Sequence, residues 1–153
     1  MYNKTVTIFN YYESASAAVW YPHVLSGVDL ITDKGAILKK YGPDSTDNAE
    51  LHIPYTADKE KKIIIDNSGK NLFWIPPKEW QRQVNDDLPL SITFGSDDFF
   101  IEGIWSKGMV NEDDYLRQNG FYNYINNQFD FVFKISSVGG PYTVIPHFEI
   151  LGE

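Results

Sequence analysis

The sequence contains three histidines, side chains that can bind metal ions or transfer protons: His23, His52 and His147. A metal site built from ligands close together in the sequence would need a spacing such as His-x-His or His-x-x-x-His. The three histidines show neither spacing. His147 and Glu149 share one face of a predicted strand, because strand side chains alternate, but two groups without a cleft do not form an acid–base site. We therefore expect no metal site, and histidines at the surface or at the edge of the core.

Carboxylates occur in pairs that a hydrolase of glycosidic bonds could use. Asp97 and Asp98 are adjacent, with Glu102 four residues beyond, but Asp97 and Asp98 follow Gly95 and Ser96 in a cluster typical of a turn. The pairs at 86–87 and 113–114 have the same turn-like interpretation. Since these groups do not form a convergent set of acid, base and nucleophile, we predict no enzymatic activity and no catalytic residue.

A phosphate site is suggested by Ser68-Gly69-Lys70, which resembles part of a phosphate-binding loop. The glycines that normally precede this segment in such a loop are missing, and so is the helix that normally follows it. Gly139 and Gly140 before Pro141 predict the final turn of the chain, not a ligand loop. We therefore expect no cofactor.

Composition and charge restrict the partners. The formal net charge of −8 argues against general affinity for nucleic acid or for anionic membranes, while it permits a partner with a basic face. The sequence has no cysteine, which excludes a disulfide scaffold, a thiolate nucleophile and thiolate metal ligands. Neither a secretory signal nor an apolar run long enough to span a bilayer is visible, so we expect no membrane association.

The stretch 90–105 is the expected centre of the fold. It predicts a strand, a turn at residues 95–98 and a longer strand, which together would make a hairpin. In the second strand Phe99 and Ile101 alternate with Phe100, so large apolar groups face both sides and a central strand is expected.

Other short strands follow at regular intervals, separated by turn signals. Phe129, Phe131, Phe133 and Ile135 alternate along a late strand and are predicted to share one buried face. Short helices are expected near Pro77–Val84 and Glu112–Gln118, whereas the asparagine-rich stretch Phe121–Gln128 is expected to be irregular. At 153 residues the chain predicts a single domain, residues 1–153, that is mainly β: an antiparallel β-barrel or sandwich with one or two short helices.

One stretch is a candidate assembly loop, because it is rich in turn formers and has almost nothing apolar to pack on its own domain. Its residues are Tyr41, Gly42, Pro43, Asp44, Ser45, Thr46, Asp47 and Asn48. The alternative is a solvated connection. Trp80 and Tyr115, on the two predicted short helices, are candidate interface aromatics, with core packing as their alternative fate.

An ordered set of segments carries a resemblance over nearly the whole chain: residues 1–10, 76–80, 92–94, 98–103, 133–138 and 145–150. On these segments the sequence resembles a family of small proteins of phages and prophages of Gram-positive bacteria that lacks a well-defined activity. The Asp-aromatic-aromatic-Ile-x-Gly segment at 98–103 is also similar to small β-barrel head-completion proteins, the stoppers of the phage head–tail junction.

The resemblance implies a structural protein of the virion neck, made in the bacterial cytoplasm. It would form a ring of identical subunits that contacts neighbouring neck or tail proteins, and DNA would pass through the ring without sequence-specific binding. A tail terminator or another minor capsid protein is the alternative within the virion. A small β-barrel hydrolase is the alternative from another class.

Overall fold

A computed structural model describes residues 2–32, 49–84 and 86–153, and a closed antiparallel barrel of six strands organises them. The strands are β1 (Lys4–Glu13), β2 (Ala18–Thr32), β3 (Ala49–Pro54), β4 (Thr56–Asp58), β5 (Lys61–Ile65), β6 (Asn71–Trp74), β7 (Ser91–Ile92), β8 (Phe99–Glu102), β9 (Val110–Asn111), β10 (Val132–Tyr142) and β11 (His147–Gly152). The helices are α1 (Pro77–Trp80) and α2 (Phe121–Gln128), with 3₁₀ helices at Leu88–Leu90 and Glu112–Gln118.

The barrel closes in the order β1-β8-β10-β11-β3-β2, with β2 pairing back to β1. Each of these neighbouring pairs is antiparallel, and the short strand β9 attaches to β2 outside the ring. Closure gives every barrel strand a partner on both sides, which satisfies the backbone groups that an open sheet would leave unpaired. The mainly β prediction is confirmed, and of the two predicted architectures the chain adopts the barrel.

A second, smaller sheet packs beside the barrel. Strands β4, β5 and β6 are antiparallel, and β7 joins β6 in parallel through the pairs Phe73–Ser91 and Trp74–Ile92. The hairpin predicted for residues 90–105 is therefore wrong, because its two strands lie in different sheets. The turn between them is present, with the Asp98 N–H donating to the Gly95 carbonyl at 3.1 Å.

Strand β8 is central, as its sequence predicts, because it pairs with β1 on one side and β10 on the other. Its alternating side chains enter two different clusters. Phe100 is buried inside the barrel, while Phe99 and Ile101 are buried on the outside against α2. Phe121 and Ile125, one helical turn apart on α2, cover that outer face.

The stretch Phe121–Gln128 is helical, which corrects the expectation of irregular structure. Its asparagines have low helix propensity, but burial of Phe121 and Ile125 on the outer face of the barrel favours the helix over that local preference. The helices expected near Pro77–Val84 and Glu112–Gln118 are present as α1 and a 3₁₀ helix.

The prediction that Phe129, Phe131, Phe133 and Ile135 share a buried face is correct for only two of the four residues. Phe133 and Ile135 are buried, but Phe129 and Phe131 are 43% and 37% exposed. The reason is that β10 begins at Val132, so the alternation that places Phe133 inside the barrel does not extend to the residues before it.

Trp80 is fully buried, so it is not an interface residue. It packs at the end of α1 with Tyr21 and Leu88, and its ring meets the rings of Tyr12 and Tyr21 edge-on. This is the core packing that the sequence left as the alternative. Tyr115 is half-buried and contacts Phe121 and Tyr124 with ring centroids 5.0 and 4.9 Å apart.

The candidate assembly loop, Tyr41–Asn48, lies outside the described residues. Within the ranges that are described, we find no helix with the length and apolar character needed to cross a membrane.

Candidate functional site

The turn between β10 and β11 carries the most exposed large apolar side chains among the described residues. Val144 is 83% exposed and Ile145 is 75% exposed. They lie in residues 143–146, which we call the tip. The sequence predicts this turn at Gly139–Pro141, but β10 continues through those residues to Tyr142, so the apex of the turn is apolar rather than glycine-rich.

The base of the tip is fixed by Tyr55, which follows β3. The Tyr55 N–H donates to the Pro146 carbonyl at 3.2 Å, and the Tyr55 hydroxyl donates to the Tyr142 carbonyl at 2.7 Å. Tyr55 is itself buried and packs on Phe148 inside the barrel. A core residue therefore holds both ends of the tip, and the tip presents its two apolar side chains from a defined base.

Ile145 adopts a backbone conformation that is unfavourable for its side chain. Its φ is +51°, in the left-handed region where a β-branched residue is an outlier. Glycine or asparagine would suit this position better in an isolated subunit. The combination of a strained backbone and an exposed apolar side chain is typical of positions with a functional contact.

A cluster of two histidines and two glutamates lies beside the tip, on the outer face of the barrel. In the antiparallel pair β3–β11, His52 is directly opposite Glu149. The alternate residues of both strands, Leu51 and Ile53 with Phe148 and Ile150, are buried in the barrel. The pleat therefore directs Glu50, His52, His147 and Glu149 outward. We call these four residues the His–Glu cluster.

Close contacts join the four side chains. Glu50 Oε1 lies 3.0 Å from His52 Nε2, Glu149 Oε1 lies 3.1 Å from His147 Nε2, and Glu149 Oε1 lies 3.9 Å from His52 Nδ1. The two imidazole rings are nearly parallel at 9°, with centroids 5.6 Å apart. One ligand atom from each of His52, His147 and Glu149 falls within 4.8 Å of the others, so these three residues could hold a metal ion.

His147 links the cluster to the tip. Its Nδ1 donates to the Ile145 carbonyl at 2.5 Å. This hydrogen bond and the contact with Glu149 raise the pKa of His147 above its usual value, since both favour the protonated ring.

His23 takes no part in this cluster. It is buried on β2, and burial lowers its pKa to about 4, with the Lys70 charge acting in the same direction. Asp66 and a hydrogen bond with the Ser91 backbone oppose this shift. His23 is therefore a neutral core residue at pH 7 and not part of a metal or acid–base site.

We predict that His23 makes the fold acid-sensitive. Because its folded pKa is about 4 and the unfolded value is about 6.5, the unfolded chain binds the additional proton between these values. Its contribution is complete above pH 6.5 and falls as the pH decreases through 4, by about 3 kcal/mol in total. The free energy of unfolding should therefore fall less between pH 7 and 4 in His23→Asn than in the wild type. Equal falls in the two proteins would contradict the assignment.

The comparison with His23→Asn is needed because Asp98 has the opposite effect. Burial raises the pKa of Asp98 to about 7, so its contribution to stability decreases as the pH rises from about 4 to 7. Asp98 is present in both proteins, and its effect cancels in the difference.

The paired carboxylates do not converge on a site. Asp98 is buried and accepts hydrogen bonds from Asn10 Nδ2, the Tyr11 N–H and the Gly95 N–H at 3.1, 2.8 and 2.8 Å. Asp97 is exposed, and Glu102 lies 3.6 Å from the Lys4 ammonium. Asp98 thus joins the 95–98 turn to β1 and carries a structural role.

The segment Ser68-Gly69-Lys70 is part of a turn closed by Asp66. The carboxylate oxygen Asp66 Oδ1 accepts from the Ser68 N–H, the Ser68 hydroxyl and the Lys70 N–H at 2.9, 2.7 and 2.9 Å. A phosphate would need these same donors. Asp66 therefore occupies the position that a phosphate-loop interpretation would assign to a ligand.

The sequence contains half of the signal for the His–Glu cluster. His147-x-Glu149 was recognisable as two groups on one strand face, and Glu50-x-His52 has the same spacing. What local spacing cannot show is that the strand of residue 52 pairs with the strand of residue 147. The tip was missed because Gly139 and Gly140 are stronger turn formers than the apolar residues at 144 and 145.

Comparison with known proteins places the chain in a family. The family model described as a family of unknown function (DUF6751) matches residues 1–153. No curated protein and no solved structure matches the chain.

Proposed function

Because the chain belongs to the DUF6751 family, whose function is unknown, we propose a function from the surface of the molecule and from the resemblance of its sequence to phage neck proteins. We propose that the protein is a structural component of the phage neck, a head–tail connector of the stopper type. It acts as a ring of identical subunits in the virion, and the tip is its contact with the next subunit.

The observation that carries this proposal is the apolar tip. Val144 and Ile145 are 83% and 75% exposed on a turn whose base is hydrogen-bonded to the core residue Tyr55. Two consecutive exposed aliphatic side chains contribute little to the stability of an isolated subunit. Ile145 also adopts an unfavourable φ of +51°. Burial against a neighbour would repay both costs, because aliphatic side chains gain about 1.5–3 kcal/mol each when fully buried.

A second copy of the chain is the occupant that we propose for this surface, because a ring of identical subunits needs a contact between copies. Each subunit has a formal charge of −8, so identical subunits repel one another unless apolar contacts join them. Among the described strands, those of the barrel all have a partner on each side, so association through the barrel would use side-chain contacts rather than strand pairing. The same acidic charge suits a channel that DNA crosses without binding.

The experiment replaces the two apolar residues of the tip together, Val144→Ser with Ile145→Asn. Asparagine tolerates the left-handed conformation at residue 145, so we expect the melting temperature of the isolated protein to be equal or higher. We expect a prophage that carries this double variant to produce few infectious particles, with heads and tails that fail to join. Electron microscopy of induced lysates measures the joined fraction.

Leu116→Ser is the matched control, since Leu116 is 65% exposed on the 3₁₀ helix Glu112–Gln118, away from the tip in sequence. It should leave particle assembly unchanged. Normal joining of heads and tails in the double variant would refute the role of the tip. Joined particles with tails of abnormal length would instead favour the alternative of a tail terminator.

A further inference from the structure

We propose that His52, His147 and Glu149 form a binding site for one divalent transition-metal ion of the Zn²⁺ class. The proposal rests on which atoms can donate hydrogen bonds within the His–Glu cluster. It does not depend on the proposed role in the phage neck.

The direction of two hydrogen bonds places one proton on each imidazole ring. The Ile145 carbonyl can only accept, so His147 Nδ1 carries the hydrogen in their 2.5 Å contact. An ionised Glu50 carboxylate can also only accept, so His52 Nε2 carries the hydrogen in their 3.0 Å contact. In the neutral rings the lone pairs are therefore on His147 Nε2 and His52 Nδ1.

Both lone pairs face the same carboxylate oxygen. Glu149 Oε1 lies 3.1 Å from His147 Nε2 and 3.9 Å from His52 Nδ1. Two lone pairs and a carboxylate repel one another unless a positive charge lies among them. A proton on His147 Nε2 satisfies one of these contacts, whereas a metal ion satisfies all three at once.

The outer hydrogen bonds match those that orient histidine ligands. A ligating imidazole usually donates its other N–H to a carboxylate or a backbone carbonyl, which fixes the ring and its tautomer. Here Glu50 does this for His52 and Ile145 does it for His147. Both rings are also largely covered, with side chains 18% and 16% exposed, and they extend from paired strands whose inner faces form the barrel core.

The donor set selects the class of metal. Two imidazole nitrogens and one carboxylate favour zinc and its neighbours in the first transition series over calcium or magnesium, which prefer oxygen ligands. Three ligands leave a fourth tetrahedral position for water or for a donor from another molecule. Because His147 is hydrogen-bonded to Ile145, an ion at this site would also stiffen the tip.

The test uses protein without a histidine tag, treated with a chelator and then titrated with ZnCl₂ by isothermal titration calorimetry. We expect one ion per chain and a rise in melting temperature on zinc addition. His147→Ala and Glu149→Gln should each abolish this binding. Glu50→Ala should bind one ion about 10- to 100-fold more weakly, since Glu50 is a positioning residue outside the metal shell.

Glu60→Gln removes an exposed carboxylate that is outside the His–Glu cluster, and it should bind zinc as the wild type does. MgCl₂ at the same concentration should not displace zinc. The proposal is overturned if the wild-type protein binds no zinc, or if His147→Ala binds it with unchanged affinity. Either result would show that His52, His147 and Glu149 do not form a zinc site.

Discussion

Replacing Phe133 by alanine is expected to lower the free energy of unfolding by about 3–5 kcal/mol, because a fully buried ring is lost and the closed barrel cannot collapse into the space. Phe133 has no solvent exposure, and its ring lies 5.4 Å from that of Phe100 on the neighbouring strand β8. The packing around it is tight: a Cβ atom added at Gly152 would lie 2.8 Å from the Cβ atom of Phe133. Chemical denaturation with urea measures the change.

Phe131→Ala is the matched control, two residues earlier with the same change of side chain. Phe131 is 37% exposed and precedes the first residue of β10. Its loss should cost less than about 1 kcal/mol, as partly exposed positions usually do. Similar costs for the two variants would show that Phe131 is buried as deeply as Phe133, and a cost below about 1 kcal/mol for Phe133→Ala would show that the barrel face is exposed.

Asp98→Ala is expected to cost about 3–5 kcal/mol in the free energy of unfolding, because it leaves three donors without an acceptor at about 1–3 kcal/mol each. The donors are one N–H of Asn10 Nδ2, whose second N–H donates to the Thr93 carbonyl at 2.6 Å, and the backbone N–H groups of Tyr11 and Gly95. Removing a buried carboxylate also relieves its desolvation, the effect that raises the pKa of Asp98 to about 7. That relief offsets part of the loss, so the cost is smaller than the sum of three orphaned donors.

Asp97→Ala separates this structural role from a general effect of charge. Asp97 is adjacent in sequence but exposed, and its removal should change the free energy of unfolding by less than about 0.5 kcal/mol. Denaturation of both variants in the same buffer makes the comparison. Equal effects would mean that the hydrogen bonds of Asp98 contribute nothing beyond its charge.

Local signals identified much of the secondary structure, because turn formers and alternating apolar residues act over a few neighbouring positions. Phe99, Phe100 and Ile101 predicted a strand buried on both faces, and β8 is such a strand. The β-branched run 63–65 and the apolar stretch 71–75 flank the turn formers 66–69, and β5 and β6 pair antiparallel across that turn. The same signals could not locate the apex of the β10–β11 turn, since the turn formers at 139–141 lie inside a strand that continues to Tyr142.

Pairing between distant strands was beyond the reach of these signals. The turn at residues 95–98 was recognised, yet β7 before it pairs with β6 while β8 after it pairs with β1 and β10. A turn sequence reverses the chain without determining which strands become neighbours. Likewise, α2 forms because Phe121 and Ile125 cover an outer face of the barrel. The asparagine-rich sequence of this stretch does not predict that long-range contact.

Composition and alternation are enough to predict that the chain is mainly β, that it lacks thiol chemistry, and which residues share a face of a strand, since side chains alternate with a period of two in any strand. Three features depend on the folded arrangement: the barrel closes, Trp80 is buried, and the face of Glu50 and His52 lies beside that of His147 and Glu149. Registers between distant strands depend on how the whole barrel packs its core, and no short stretch of sequence contains that information.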